Sequence, residues 1–417
     1  MSAASDSAAA PAWSGPLGGI KVLDLSRVLA GPFATQLLGD LGAEILKIET
    51  PGQGDETRTF PPHLGGESHY FMALNRQKKS LVIDLQKPAG ADLLRGLAAK
   101  ADVLVENFRP GVMQRLGLDY EKLAAQNPRL IYCAVSGFGL TGPYRDKPSF
   151  DIVAQAMSGI MSFNGEAGGT PIKVGAPMGD LGGGIFGAIG ILSALHERHA
   201  TGRGRLVDIS LLDGLLGMLG YVAQLSFLTG RDPKPIGSGH PSVVPYGAFP
   251  ASDGQIIIAC LMHAFWGRLC GALQHPEWTD DIRFSTGSAR LANRSEVEAM
   301  ISGVTRTRTV AEWVERLSAA DVPNAPVLGV GAALAHPQAQ ARDMVVTTLH
   351  PRAGEIRMVG RPIKFPGATQ PPLAPPPVLG QHTRELLARE LGLSVADLDA
   401  LQRDGVIDRI EGAAQAS

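Results

Sequence analysis

Apolar and polar positions divide this chain into short elements. Ile20-Lys-Val-Leu-Asp-Leu25 is rich in branched aliphatic residues and predicts a strand. Residues 33–41 place apolar side chains at helical spacing, and Gly42 closes that run. Ala43-Glu-Ile-Leu-Lys-Ile-Glu49 predicts a second strand. A strand–helix–strand opening implies an α/β fold with a parallel sheet. The pattern continues with strands over 81–85, 102–106 and 130–136, and helices over 88–100, 112–116 and up to 126. Helices are expected over 150–162 and 181–199. Residues 206–228 read as a short strand followed by one long apolar helix.

The texture changes near Gly230. Residues 231–245 are proline-rich and contain Gly237-Ser-Gly239. Residues 246–249 and 255–261 predict a hairpin around Ser252-Asp-Gly254, with helices after it at 264–272, 295–302 and 310–320. A second hairpin is expected at 345–350 and 355–359, then two helices at 383–393 and 395–404. The resulting division is a flexible tail (1–17), a large α/β domain (18–231), a smaller α+β domain (232–335) and a return segment with C-terminal helices (336–417).

Composition narrows the functions. Of 417 residues, 44% are hydrophobic and 19% charged, which fits an enzyme with a large core. A net charge of -2 argues against a nucleic-acid binder. Cys133, Cys260 and Cys270 have no metal-type spacing, so no metal site or disulfide framework is expected. The N-terminus lacks the apolar core of a signal peptide. The longest uncharged runs, 181–195 and 214–230, fall short of the roughly 20 residues that span a bilayer. A cytoplasmic protein without membrane contact is expected. No Gly-x-Gly-x-x-Gly follows the first strand, which argues against the usual dinucleotide site.

The candidate chemistry centres on Val174-Gly-Ala-Pro-Met-Gly-Asp-Leu-Gly-Gly-Gly184, which holds one carboxylate, Asp180. Two readings are open. Asp180 is the N-cap of the next helix and the glycines allow close packing. Alternatively, Asp180 is a nucleophile toward an acyl group, and backbone N–H groups freed by the glycines hold the oxyanion. Two turns at strand ends, Asn107-Phe-Arg-Pro-Gly111 and Gly137-Phe-Gly139, are placed to wall a nucleotide. Arg76, Lys78, Lys79, Arg109 and Arg115 are either solvated surface charges or phosphate ligands.

Taken together, several stretches resemble the class III CoA-transferase family, which includes formyl-CoA transferase, carnitine CoA-transferase and the α-methylacyl-CoA racemases. They are Val22-Leu-Asp-Leu-Ser-Arg-Val-Leu-Ala-Gly-Pro32, Asp40-Leu-Gly-Ala-Glu-Ile-Leu-Lys-Ile-Glu49, Val105-Glu-Asn-Phe-Arg-Pro-Gly111, Gly179-Asp180, Thr201-Gly-Arg-Gly204 and Leu379-Gly-Gln-His-Thr383. The resemblance implies a Rossmann-like large domain, an inserted smaller domain and an interlocked homodimer. It implies that Asp180 is the nucleophile, that CoA thioesters are substrates and that no cofactor is permanently bound. It places CoA against Leu29, Ala30, Asn107, Phe108, Arg115, Ser136, Gly137, Phe138 and Gly139. It puts a mobile active-site loop at Gly237, Ser238, Gly239 and His240. Two family cation positions are Thr50 and Gln86 here.

The resemblance is closest to members that use succinyl-CoA and a dicarboxylate. Arg27, His240 and His263 are the candidates for the second carboxylate. A tetraglycine loop found in formyl-CoA transferase is missing, which disfavours formyl-CoA/oxalate exchange. The rival reading is an acyl-CoA racemase or epimerase on the same fold. Racemases carry Gly-His-Asp where this chain has Ser149-Phe-Asp151, and Phe150 cannot move a proton.

Overall fold

The computed structural model describes residues 15–407, so most of the expected tail, residues 1–14, lies outside the described residues. Six strands form one parallel sheet: β1 (Lys21–Asp24), β2 (Glu44–Glu49), β3 (Lys78–Val82), β4 (Val103–Glu106), β5 (Ile131–Ser136) and β6 (Leu206–Ser210). Their order across the sheet is β3-β2-β1-β4-β5-β6. In this doubly wound order the chain reverses its direction of growth between β1 and β4, and a crevice opens there beyond the strands' carboxyl ends.

Both faces of the sheet are covered by helices, α1 (Ala30–Asp40), α2 (Pro88–Ala98), α4 (Met178–Thr201), α5 (Thr383–Leu391) and α6 (Val395–Arg403), while α3 (Asp151–Met157) packs against α4. Side chains alternate along each strand. Tyr132 and Ala134 of β5 join a core with Leu23, Leu46, Leu94, Leu386 and Leu398, which brings in α2, α5 and α6. Cys133 and Val135 point the other way, toward α4. There the glycines of α4 allow α1 to approach backbone to backbone. A Cβ on Gly184 would lie 2.8 Å from the Ala30 carbonyl oxygen and 3.2 Å from the Ala34 nitrogen.

The chain divides into two compact units. The sheet and its helices belong to the first, built from residues up to 158, 175–220 and from 340 onward. The second comprises 159–174 and 221–339. It holds an antiparallel sheet of Tyr246–Pro250, Gln255–Ala259 and Asn324–Pro326 around a core with Trp266, Phe284 and Trp313. The hairpin expected at 246–261 is present; the third strand carries only three residues and has no periodicity to read.

The far end of the chain returns to the sheet edge. On β3, Ser80 accepts from the His382 N–H (3.0 Å) through its carbonyl, and the Val82 N–H donates to Thr383 Oγ1 (3.0 Å). The Gly380 N–H reaches Ser80 Oγ at 2.8 Å.

Four expectations are corrected. The third strand spans Lys78–Val82 rather than 81–85. Arg76, Lys78 and Lys79 consequently lie at the amino end of the strand, away from the crevice, and pair with Asp40, Asp24 and Glu44. They are not free to bind phosphate. The long helix expected after 206 is two helices, Leu211–Met218 and Tyr221–Thr229, because Gly220 takes φ +53° between them. Finally, α4 is 24 residues long, long and apolar enough to cross a membrane by length and composition. Half of its most apolar stretch is buried, on the glycine face that packs against α1.

Candidate active site

At the carboxyl end of β1 the chain enters a loop that an ionic network fixes from below. Asp24 is fully buried and accepts from Lys78 Nζ (2.9 Å), Thr35 Oγ1 (2.7 Å) and the Ser26 hydroxyl. Lys47, also buried, donates to the Ser26 carbonyl at 2.9 Å and pairs with Asp55 at 3.0 Å. Asp55 in turn accepts from the Val28 N–H at 3.3 Å. Val28 has φ +64°, an unfavourable conformation for a β-branched residue. From the next crossing, Asn107 clasps Arg27 on both backbone groups, N–H to Oδ1 at 2.8 Å and Nδ2 to the carbonyl at 2.7 Å.

These contacts shape a cavity of about 410 Å³ at the crevice. Among the residues read from the sequence, Arg27, Leu29, Ala30, Asn107, Phe108 and Arg109 line it. Ser136, Gly137 and Asp180 line it too. Three expected contacts stand apart. Arg115 is exposed on the last turn of the helix Val112–Leu116. Phe138 packs edge-on against Tyr144 with centroids 5.6 Å apart, and Gly139 is buried, its N–H bonded to Ser136 Oγ. Arg27 is in the cavity but already engaged, with Glu56 at 3.0 Å and the Phe108 ring at 4.9 Å.

Gly237, Ser238, Gly239, His240 and His263 belong to the second unit. Gly237 takes φ +61°, and a Cβ there would lie 3.0 Å from Glu166 Oε2. The His240 ring stacks on Tyr221 at 5.5 Å, and its carbonyl accepts from Arg294 at 2.6 Å. His263 is exposed at the first position of its helix.

Asp180 is not a helix cap. Pro177 holds that position, and Asp180 is the third residue of α4, half-buried. The expectation that glycines free N–H groups for an oxyanion also fails locally. Gly182, Gly183 and Gly184 lie inside the helix, where they make room for Met218, Leu211 and Ala30. Burial, and then the negative charge of Asp151, push the Asp180 carboxyl up to about 7. Tyr70 is close enough to feel the same charges: burial first, then Asp180 and Asp151, raise its phenol. Glu106, at the end of β4, is pushed up to about 7 by burial while its carboxylate accepts from the Phe108 N–H at 2.7 Å.

Sequence reasoning placed Phe150 at the racemase position but missed the loop before it, where Arg145 and Lys147 join Phe150 in the cavity wall. Its signal was weak: a polar turn around Gly142-Pro-Tyr144 without periodicity. It also missed Asp55 and Lys47, whose charges gave no hint of complete burial.

A parallel sheet with a ligand-sized crevice at its switch point, and a half-buried carboxyl inside it, fits an α/β enzyme rather than a structural protein. The sequence profile of CoA-transferase family III matches residues 17–383, and the chain belongs to that family. It is 36% identical over 397 residues to the human succinyl-CoA:glutarate CoA-transferase, covering 95% of this chain and 91% of the relative. Identity is 42% over 358 residues to the acetyl-CoA:oxalate CoA-transferase of Acetobacter aceti, covering 86% and 91%. A crystal structure of a CAIB/BAIF family protein from Brucella suis superposes with a TM-score of 0.82 at 38% identity, covering 91% of this chain and all of that one.

Proposed function

We propose that this enzyme moves CoA from succinyl-CoA to a dicarboxylic acid by way of the Asp180 carboxylate. The observation that carries the reading is the meeting of Asp180 with the turns after β1, β4 and β5 in one cavity. The two named relatives support the substrate class, since glutarate and oxalate are both dicarboxylates. Asp180 attacks the thioester carbonyl; the C–S bond breaks, leaving a mixed anhydride and CoA thiolate. The thiolate attacks the aspartyl carbonyl, giving an aspartyl-CoA thioester and the free donor acid. The acceptor carboxylate attacks that thioester and forms a second anhydride. Thiolate then takes the acceptor's acyl group and regenerates Asp180. The anhydrides survive only where water is excluded. The steps require CoA thioesters as substrates and no permanently bound cofactor.

Leu29, Ala30, Asn107, Phe108, Ser136 and Gly137 are the residues we assign to CoA, with Phe138, Gly139 and Arg115 at the margin. Arg109, Arg145 and Lys147 supply cations to the cavity wall, while the family cation positions Thr50 and Gln86 are uncharged here. The racemase reading gains nothing from Phe150, whose ring is 71% exposed beside the cavity. An interlocked homodimer accords with apolar side chains that α4 leaves exposed, Ile185, Phe186 and Ile189, and that α3 leaves exposed, Ile152 and Met157. We place the enzyme in the cytoplasm.

The test is intact-mass spectrometry of the protein with succinyl-CoA and no acceptor, beside Asp180→Ala. A CoA adduct on the native protein alone, discharged by glutarate or oxalate, is expected. α-Proton exchange without any adduct would replace this reading by the isomerase one. A second expected result concerns pH. Asp180 must be ionised to attack, and its carboxyl is held near 7. kcat/KM, which reports the free enzyme, therefore rises through about pH 7 and levels above it. An acid limb at the ordinary carboxylate range, near pH 4, would contradict this.

A further inference from the structure

We propose that Asp151 is a positioning residue for this reaction: it occupies the open N–H groups at the head of α4 and so withholds them from the Asp180 carboxyl. The inference rests on Asp180 as the nucleophile.

A helix begins with four N–H groups that lack partners within the helix. An aspartate at the third position ordinarily gains from them and from the helix dipole, which stabilises its charge and weakens it as a nucleophile. In α4 the cap is Pro177, which has no N–H, and the Leu181 N–H already makes the first regular helix bond, so three N–H groups remain and all are accounted for elsewhere. The Met178 N–H donates to the Ala176 carbonyl at 2.8 Å, and the Leu181 N–H to the Pro177 carbonyl at 2.9 Å. The two between them, Gly179 and Asp180, donate to Asp151 Oδ1 at 2.7 and 3.3 Å. None remains for the side chain of Asp180.

Asp151 is itself held for this task. Its Oδ2 accepts from Gln155 Nε2 at 2.7 Å, one turn along α3, and Gln155 is fully buried. Gly179 eases the same contact, since a Cβ there would lie 3.0 Å from Asp151 Oδ1 and 3.2 Å from Leu215, and both side chains would have to give way by a few tenths of an ångström. Gly179, Asp151 and Gln155 thus act as one device. A carboxylate deprived of donors keeps its basicity, and basicity is what drives attack on a thioester. The charge of Asp151, after burial, raises the Asp180 carboxyl in the same sense.

The other charged or titratable groups around Asp180 are Tyr70 and, from the cavity wall, Arg27, Glu56, Arg109, Arg145 and Lys147. Asp151→Asn keeps the acceptor oxygen and removes the charge. Its acid limb in kcat/KM should move to lower pH by about one unit, a size typical for a neighbouring like charge. Adduct formation from succinyl-CoA, followed by mass at fixed pH, should show the same shift. Asp151→Glu should lower the plateau and leave the limb in place. Gly179→Ala leaves Asp151 in the chain but crowds its Oδ1 and lengthens its bonds to the helix head, and should move the limb in the same direction as Asp151→Asn, by less. That variant also serves if Asp151→Asn does not fold. Asp151→Asn reads the charge alone, so the deciding variant is Asp151→Ala, which frees both N–H groups: an unmoved limb there, or in Gly179→Ala where only that protein folds, reduces Asp151 to a structural cap and overturns the inference. Absence of any adduct on the native protein is a different failure, that of Asp180 as nucleophile.

Discussion

Asp180→Asn is expected to lower kcat by at least about 10³-fold, because the amide preserves shape and removes the only group proposed to bond covalently to the acyl carbon. Binding of the acyl-CoA should be retained, since the turns at Leu29, Asn107 and Ser136 are untouched. Asp180→Glu keeps the charge but moves it by a methylene, and a misplacement near 1 Å costs about 10²-fold. Stability should change in the opposite direction to activity. The native carboxyl sits near 7, well above its ordinary value of 3.8. Between those two values the folded protein binds more protons than the unfolded chain, so the native enzyme loses stability as pH rises from 4 to 7. Asp180→Asn escapes that loss. Unfolding in urea at pH 8 should find the variant the more stable of the two, with the gap closing toward pH 4. Turnover that survived in Asp180→Asn would end the covalent mechanism.

The largest loss of stability is expected from Asp24→Asn. Burial alone would push the Asp24 carboxyl up, but Lys78 and Lys47 override it and hold it well below the usual carboxylate range. Removing the charge leaves Lys78 buried without an anion, a change that costs about 3–5 kcal/mol. Asp24→Asn with Lys78→Met should recover at least half, because the asparagine oxygen still accepts from Ser26 and Thr35 and no charge is stranded. The pH signature separates this account from simple loss of packing. In the native protein the Asp24 contribution is complete above about pH 4 and is lost in acid. In Asp24→Asn the stranded Lys78 governs instead. Burial pulls its ammonium down to about 8 even with Asp24 present. The unfolded chain then binds the extra proton, so the single variant regains stability as pH is raised toward 9. Urea unfolding should be followed by circular dichroism, since three of the four tryptophans, Trp266, Trp278 and Trp313, report on the other unit. Equal stability of the single and double variants at every pH would refute the pairing argument.

The fold was legible where one period ruled. β1, β2, β4 and β5 stand within a residue or two of their expected limits, because parallel strands covered on both faces are runs of branched aliphatic side chains. β3 was misplaced because its first residues are Lys78, Lys79 and Ser80, which read as surface. The same rule explains the error: a strand covered on both sides buries whatever it carries, and Lys47 and Lys78 are neutralised there by Asp55 and Asp24. Asp180 was marked by resemblance across several ordered stretches; its own neighbourhood, taken alone, favoured a helix cap. The role argued for Asp151 depends on two N–H groups 28 and 29 residues away in sequence, a relation no local pattern encodes.

The return of the chain to β3 bears on how the protein is made. β3 is the sheet's edge, and the groups that close it come from residues 380–383, some 300 positions later. While a ribosome is still extending the chain, this edge therefore stands open to any neighbouring strand, and a nascent polypeptide halted before residue 378 carries an unprotected β3. Chains truncated at residue 370 and running to residue 417, both released from the ribosome, should differ in protease sensitivity at β3, the shorter being cut faster. Equal cutting would mean that the edge is protected without its closing segment.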